Sequence, residues 1–314
     1  MQEDIFILVV DDEERVLKEF VPLLTEEGFK VSKAKSWQEA QGHLKSQKFH
    51  IVIADVNLPD IGYKEMIKNI KKENKYSYII TTADYSDIET ATRSLKEGAQ
   101  DYMSKPFDPR DTIVNIRMIV EKHKLKVDNI QLLETIKALA LALDARDHYT
   151  HGHSQQVTDY ALAIAERMNL QEEEIEIIRD AGLLHDIGKI GISDAILLKP
   201  GKLTEEEYNK IKEHPGIGKK ILAPVSSLSN KIPLIYHHHE RYDGNGYPER
   251  LKAEAIPIGA RILAVADTYQ AMTSDRPYRK ALSKQVAVDE LNRNKGTQFD
   301  PKIVEVFMEV VDKF

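Results

Sequence analysis

Short apolar runs alternate with amphipathic stretches through the first 107 residues of the chain. Continuous apolar runs are typical of strands buried on both faces of a sheet, and apolar residues three or four positions apart are typical of helices. The predicted strands are residues 5–10, 29–34, 51–54, 78–81 and 101–103, and the helices between them include 14–26, 37–45 and 88–97. This alternation predicts an α/β domain built on a doubly wound, five-stranded parallel sheet.

After this domain the pattern becomes helical throughout. Neither Gly nor Pro interrupts residues 111–144, which predicts one long helix that continues as a stalk, or two helices with a kink near residues 122–126. We favour the continuous helix. From residue 139 onward, helical patterns are separated by loops rich in Gly and Pro. We therefore predict two domains, 1–123 and 138–314, with a helical linker at 124–137 and an all-α second domain.

Composition narrows the functional classes. The formal net charge of −7 argues against a general nucleic-acid binder, so we expect no DNA partner. Cysteine is absent, which excludes disulfides and thiol catalysis. No stretch approaches the roughly 18 apolar residues that a membrane span needs, and the acidic N-terminus does not have the pattern of a signal peptide. We expect a cytoplasmic protein.

Polar residues follow the predicted strands of the first domain where each strand ends. They are Asp11, Asp12, Asp55, Thr82 and Lys105. The carboxyl ends of parallel strands meet at one edge of a sheet, so these side chains should lie together. Clustered carboxylates suit Mg²⁺, and a carboxylate can accept a phosphoryl group as an acyl phosphate. An acidic pair alone is usually a helix start, but these features in strand order indicate a phosphoryl-accepting site.

This first domain resembles the response-regulator receiver family over about residues 4 to 123. The matching motifs are DDE at 11–13, DVNLPD at 55–60, TA at 82–83 and KPF at 105–107. The resemblance implies that Asp55 is the phosphoacceptor and that a cognate histidine kinase is the partner. It also implies a Mg²⁺ site and a conformational switch formed by Asp11, Asp12, Asp55, the backbone carbonyl of Asn57, Thr82, Tyr102 and Lys105. In that scheme Asp11 supports the Mg²⁺ site, and Thr82 and Tyr102 are the switch pair.

Histidines and aspartates concentrate in the second domain. Eight of the eleven histidines lie between His148 and His239, and Asp267 stands in an apolar run where an uncompensated charge would be costly. A single His on an apolar face is more often a core residue with its hydrogen bonds made inside the protein than a metal ligand. Several imidazoles and carboxylates together suit Fe, Mn, Ni or Zn. Two such ions can activate water and clamp a phosphodiester, with Asp186 as the natural shared ligand and Lys189, one turn later, steadying the phosphate.

The second domain resembles the HD-GYP family of metal-dependent phosphohydrolases over roughly residues 138 to 314. The matching segments are 150–154, 184–191 (LHDIGKIG), 199–204, 238–248 (HHERYDGNGYP), 260–262, 267–269, 273–279 and 299–301. The resemblance implies two metal ions held by His153, His185, Asp186, His214, His238, His239 and Asp267. It implies substrate contacts from Lys189, Gly246, Tyr247, Pro248, Arg276 and Arg279. The implied activity is hydrolysis of cyclic di-GMP to pGpG, which in this family often continues to GMP.

Two departures from the family pattern keep alternatives open. Tyr149 stands where members with three metals carry Glu, so we expect a binuclear centre. Gln270 stands where Asp is common, which removes a charge beside the metals. The alternatives are hydrolysis of another cyclic dinucleotide or nucleotide, and a weakly active module that binds cyclic di-GMP. A homodimer through the linker helix is a further expectation.

Overall fold

The computed structural model describes residues 4–146, 152–199, 201–275 and 280–314. The chain divides into two compact units, Met1–Ile130 and Gln131–Phe314. Their boundary falls inside the segment predicted as a linker, 124–137.

The first unit is built on a parallel sheet. Its strands are β1 Phe6–Val10, β2 Lys30–Ala34, β3 Ile51–Asp55, β4 Tyr78–Asp84 and β5 Asp101–Lys105, in the order β2-β1-β3-β4-β5. Every residue of β3 is buried, as expected for the central strand of a sheet covered on both faces. The predicted doubly wound, five-stranded sheet is confirmed.

Helices cover both faces of this sheet. They are α1 Glu14–Glu26, α2 Trp37–Ser46, α3 Tyr63–Glu73, α4 Ile88–Glu97 and the start of α5 Pro109–Arg146. Because side chains alternate along a strand, Ile7 and Val9 of β1 pack with α1 and α5, while Leu8 and Val10 pack with α2 and α3. The carboxyl ends of the strands are left open at one edge.

Helix α5 is a single helix of 38 residues. No break interrupts it at residues 122–126, so the prediction of a continuous helix is confirmed.

The second unit is helical, as predicted. Its helices are α6 His153–Arg167, α7 Glu172–Leu184, α8 Asp194–Leu197, α9 Glu205–Ile211, α10 His214–Leu222, α11 Ile232–His237, α12 Ile258–Thr273, α13 Lys284–Arg293 and α14 Pro301–Val310. Helix α12 is apolar around most of its circumference, and nine of its residues are buried. It packs against α6 and α7, which places Asp267 beside the helices that carry the other candidate ligands. In the described part of the chain, no helix combines the length and apolar character needed to cross a membrane.

Candidate metal centre and phosphoacceptor site

The carboxyl end of the sheet gathers an acidic cluster. Ligand oxygens of Asp11, Asp12 and Asp55 all lie within 4.8 Å of one another. The ammonium of Lys105, at the end of β5, lies 2.7 Å from Asp11 Oδ2 and also contacts Asp55. The predicted convergence of these strand-end residues is therefore present in the structure.

Buried groups in this cluster shift one another's pKa values. Burial raises the pKa of Asp11, although hydrogen bonds from Lys105 and from the Glu13 backbone oppose the shift. Burial would lower the pKa of Lys105, but its hydrogen bonds to Asp11 and Asp55 raise it overall. Lys105 thus stays protonated and supplies a counter-charge for the buried carboxylates Asp11 and Asp55.

Asn57 and Thr82, two of the remaining predicted receiver residues, lie beside Asp55. The backbone N–H of Asn57 donates to Asp55 Oδ1 at 2.7 Å, and the Asn57 side chain donates to Asp87. Thr82 is buried and pairs with Asp55 across the sheet, whereas Tyr102 is 37% exposed. The pair predicted to switch therefore has one buried member beside the acid cluster and one member open to solvent.

The histidines and aspartates of the second unit come from five helices and their ends. His153 begins α6, His214 begins α10, and Asp267 lies within α12. His238 and His239 directly follow α11. His185 and Asp186 follow α7, which ends at Leu184.

By its pattern alone the segment 182–189 is helical, but it does not continue α7 as an α-helix. A 3₁₀ turn, Ile187–Gly191, replaces the α-helix there. Gly188 in this turn lies so close to α10 that a Cβ atom would collide with the carbonyl oxygen of His214. Tightening the chain into a 3₁₀ turn brings its backbone against α10, and it also brings the Lys189 ammonium onto Asp186 Oδ2.

Asp186 lies between two groups of ligands. His153, His185 and Asp267 form one group, and His214, His238 and His239 form the other. Oδ2 of Asp186 lies 3.5 Å from His153 Nε2 and 3.4 Å from His185 Nε2. Its other oxygen, Oδ1, lies 3.3 Å from His214 Nε2. Each carboxylate oxygen therefore faces a different group, which is the placement that a bridging ligand requires.

Backbone carbonyls set the tautomers of three of these histidines. Nδ1 of His185, His214 and His238 each lies 2.7 Å from a carbonyl oxygen three residues earlier. A carbonyl only accepts, so each Nδ1 carries the proton and each Nε2 carries a lone pair. The Nε2 atoms of His214 and His238 nevertheless face each other at 3.4 Å. Two lone pairs at that distance repel unless a cation lies between them, so these residues fit a metal ion.

Gln270 orients the fourth histidine. His153 Nδ1 lies 2.6 Å from Gln270 Oε1, and Gln270 Nε2 donates to Gln156 and to Ser274. These contacts assign the amide oxygen to His153, which places the His153 proton on Nδ1 and leaves Nε2 for a ligand role. The neutral amide of Gln270 thus orients the His153 ring, as a carboxylate could, but it adds no charge.

Burial and charge act in opposite directions across the cluster. Burial would raise the pKa of Asp186, but the positive charge of Lys189 beside it holds that pKa well below its usual range. Burial, with the charges of His185 and His214, lowers the pKa of His238 to about 3. The cluster therefore presents an ionised carboxylate and a neutral imidazole near neutral pH, the protonation states that metal binding needs.

Comparison with known proteins identifies a known domain family for each part of the chain. Residues 7–117 match the response regulator receiver domain, and residues 137–303 match the HD domain. The cyclic di-GMP phosphodiesterase of Thermotoga maritima is 32% identical over 97% of this chain and 90% of that protein. The chain belongs to the HD domain family, with an N-terminal receiver domain.

Two further relatives match most of this chain. The cyclic di-GMP phosphodiesterase response regulator RpfG of Xanthomonas campestris is 34% identical over 88% of this chain and 77% of that protein. The 3′3′-cGAMP-specific phosphodiesterase 2 of Vibrio cholerae is 34% identical over 74% of this chain and 47% of that protein.

A cavity of about 550 Å³ opens beside the candidate metal ligands of the HD domain. It is lined by His239 and Asp267 and by residues that the sequence analysis predicted for substrate, Gly246 and Tyr247. Gly246 approaches the backbone of Glu240 and Arg241 so closely that no side chain fits there. The Tyr247 ring lies 4.9 Å from the His239 ring, centroid to centroid. This loop therefore forms one wall of the cavity beside a ligand.

Other lining residues were not predicted from the sequence. They are Tyr208, Lys212, Arg241, Asn245, Thr268, Ala271, Met272 and Gln298. Tyr208 and Lys212 carried a signal that was not used: they lie one helical turn apart and just before His214. Arg276 and Arg279, predicted for phosphate binding, and Tyr149 lie outside the described residues.

Proposed function

We propose that this protein is a response regulator whose HD domain hydrolyses cyclic di-GMP, under the control of phosphorylation at Asp55. The observation that carries the proposal is Asp186, whose two oxygens face two separate groups of ligands. The Thermotoga maritima relative, named a cyclic di-GMP phosphodiesterase, spans 97% of this chain.

The two ligand groups would hold a pair of transition-metal ions, Fe, Mn, Ni or Zn. His153, His185 and Asp267 would hold one ion, His214, His238 and His239 the other, and Asp186 would bridge them. When bound, such ions supply an activated water and stabilise the charge that develops on a phosphodiester. The protein contributes neutral imidazoles that are oriented by backbone carbonyls.

Charged and aromatic side chains of the HD domain would position the substrate. Lys189, whose ammonium contacts Asp186, would donate to a phosphate oxygen at the ligand cluster. Tyr247 and Gly246 form the wall against which the nucleotide would lie. Cleavage of one phosphodiester gives pGpG, and cleavage of the second gives GMP.

The receiver domain implies a phosphodonor, and we propose a histidine kinase in that role. Asp55 would take the phosphoryl group, Lys105 would hold a phosphoryl oxygen, and Asp11, Asp12 and the Asn57 carbonyl would complete a Mg²⁺ site. Labelling with acetyl phosphate and Mg²⁺ tests the assignment. Uptake at the same stoichiometry by Asp55→Asn protein would contradict it.

Helix α5 offers a route from phosphorylation to catalysis. Within the second unit, Asp144 Oδ2 accepts a hydrogen bond of 2.9 Å from the backbone N–H of Ser154, the residue after ligand His153. Lys137 pairs with Asp180 of α7 at 2.8 Å, on the helix that leads to His185. Both ligand-bearing helices are thus anchored to α5. We expect beryllofluoride to change turnover in wild-type protein and to have no effect in Asp55→Asn protein.

Turnover of cyclic di-GMP by the purified, metal-loaded full chain is the direct test. Formation of pGpG, followed by chromatography, is the expected result, and it should stop when the metals are removed by chelation and return when they are restored. Binding of cyclic di-GMP without any product would instead identify a signalling module.

A second substrate, 3′3′-cGAMP, is a specific alternative because three relatives are named for it. It differs from cyclic di-GMP only in one base, so the metal centre does not separate the two. Parallel kinetics on both compounds decide between them by the ratio of kcat/KM.

A further inference from the structure

A lysine with no carboxylate partner lies in the wall of the cavity beside the metal ligands. Lys212 is half-buried and lines that cavity together with His239 and Asp267. Among the described residues, no carboxylate pairs with its ammonium. Arg241, the other described cation that lines the cavity, is paired with Asp243 at 2.8 Å and bonded to Gln298. Lys212 is therefore the described lining cation that is available for an anion.

Two aromatic rings flank this ammonium. Lys212 Nζ lies 4.5 Å from the centre of the Tyr208 ring and 5.7 Å from the centre of the Tyr247 ring. The contact with Tyr208 is a local one, made within one helical turn. The contact with Tyr247 is not, because that ring belongs to the loop after α11 and stacks on ligand His239. Ring, ammonium and ring thus follow one another along the cavity wall, starting from a metal ligand.

We propose that Lys212 and Tyr208 form a subsite for the half of a cyclic dinucleotide that is not being cleaved. Lys212 binds the second phosphate, and Tyr208 stacks on a base. A compact ammonium suits a phosphate as a point charge, and an aromatic face accepts any base. This subsite rests on the proposed function, since it needs a substrate with two phosphates and two bases.

The chemistry of the substrate supports this division of the cavity. The two phosphates of a cyclic dinucleotide lie on opposite sides of its ring, so only one can be at the metal ligands. The other needs a separate cation, and Lys212 provides it within the same cavity. The half-exposed ring of Tyr208, 49% accessible, leaves a face open to a base.

Kinetics on two substrates test the subsite. Bis(4-nitrophenyl) phosphate has one phosphate, so it reports on the metal centre without using Lys212. We expect Lys212→Ala to raise the KM for cyclic di-GMP about tenfold with kcat within about twofold, since it removes binding common to ground and transition states. Its kcat/KM for bis(4-nitrophenyl) phosphate should stay within about twofold of the wild-type value.

Matched variants separate charge, stacking and fold. Lys212→Arg should keep most of the affinity because it keeps the cation. Tyr208→Phe should retain KM and Tyr208→Leu should raise it several-fold, as expected when an aromatic face is lost. Lys210→Ala is the control and should behave as wild type, because Lys210 is an exposed lysine two residues before Lys212 that does not line the cavity. Metal content measured on each variant checks that nearby His214 is undisturbed.

The outcomes are distinguishable. An unchanged KM for cyclic di-GMP in Lys212→Ala protein that turns the compound over would overturn the subsite alone. Equal losses on both substrates would also overturn it, because Lys212 would then act through the metal centre. Wild-type protein that cleaves bis(4-nitrophenyl) phosphate but neither cyclic di-GMP nor 3′3′-cGAMP would overturn the proposed function, and the subsite with it.

Discussion

In the receiver domain the buried carboxylates Asp11 and Asp55 find their counter-charge inside the protein, on Lys105. In the HD domain, by contrast, the candidate ligands His214 and His238 turn unprotonated nitrogens toward each other at 3.4 Å. Lys105 thus offsets part of the negative charge of the first cluster, whereas no internal group among the described residues lies between the facing nitrogens of the second, which a cation would bring together. A site that is reset by each phosphorylation has to be stable when empty, but a resident metal centre does not.

The largest expected effect comes from removing the bridging carboxylate. Asp186→Ala should lower kcat/KM for cyclic di-GMP by at least about 10⁴-fold, the scale seen when an indispensable catalytic group is lost. Elemental analysis alongside kinetics should show fewer than two metals per chain. Asp289→Ala, at an exposed carboxylate of α13, is the control. Full activity in the Asp186→Ala protein would break the comparison, because the HD cluster would then not need its shared ligand.

The receiver should respond to loss of its internal cation by losing stability. Lys105→Met leaves Asp11 and Asp55 buried without a partner, which should cost about 3–5 kcal/mol in the free energy of unfolding near neutral pH. Burial already raises the pKa of Asp11, and removing Lys105 raises it further, so protonation should relieve the cost as the pH falls.

Urea unfolding at pH 7 and pH 5 measures this effect. The difference between wild type and Lys105→Met should be smaller at pH 5, and Asp55→Asn should relieve part of it in the double variant. Lys96→Met, at an exposed lysine of α4, should have little effect at either pH. A Lys105→Met protein as stable as wild type at pH 7 would show that the receiver does not depend on its internal counter-charge.

The hydrogen bond between Gln270 and His153 tests how far metal binding in the HD domain depends on the groups that orient the histidines. It orients His153 without contributing charge, so Gln270→Leu should weaken metal binding by about 10–100-fold, the usual effect of losing such a partner. Gln270→Glu should bind metal at least as tightly as wild type, since it keeps the acceptor and adds a charge. Ser274→Ala removes only the hydrogen bond on the far side of the amide. Competition with a metal-binding dye gives the affinities, and an unaltered affinity in Gln270→Leu would contradict this role.

The smallest effect concerns a buried histidine of the receiver that faces no metal ligands. Burial, with the charges of His50 and Lys126, lowers the pKa of His123. Below about pH 6.5 the unfolded chain therefore binds a proton that folded His123 does not, and stability should fall as the pH falls through that value. Unfolding between pH 7.5 and 5.5 should show a weaker pH dependence in His123→Leu than in wild type. Equal slopes would assign the pH dependence to other groups.

Much of both sites could be predicted because chain patterns report strand ends and residue types. Lys105 reaches Asp55 because both end parallel strands of one sheet, and an apolar run around Asp267 indicates a buried carboxylate. Contacts between segments that are far apart in the sequence are not indicated by any local pattern. Gln270 and His153 are 117 residues apart, and nothing in the spacing of either predicts their hydrogen bond.

The 3₁₀ turn after Asp186 was missed for a related reason. The run 182–189 reads as helical on its own, and only the close approach of α10 requires the tighter turn. Tyr208 and Lys212 were likewise overlooked, because their spacing just before His214 does not by itself show which surface they line. Their place in the cavity wall depends on Tyr247, from a distant loop.

The close packing of Gly188 determines which substitutions position 188 tolerates. The backbone of that residue rests directly on the His214 carbonyl, so any side chain would push apart the segments that carry Asp186 and His214. In a saturation library screened for turnover, position 188 should be as intolerant as the histidines themselves, although it binds nothing. Even alanine, the mildest replacement, should be depleted there. The distance between the segments that carry Asp186 and His214 therefore depends on a glycine at position 188.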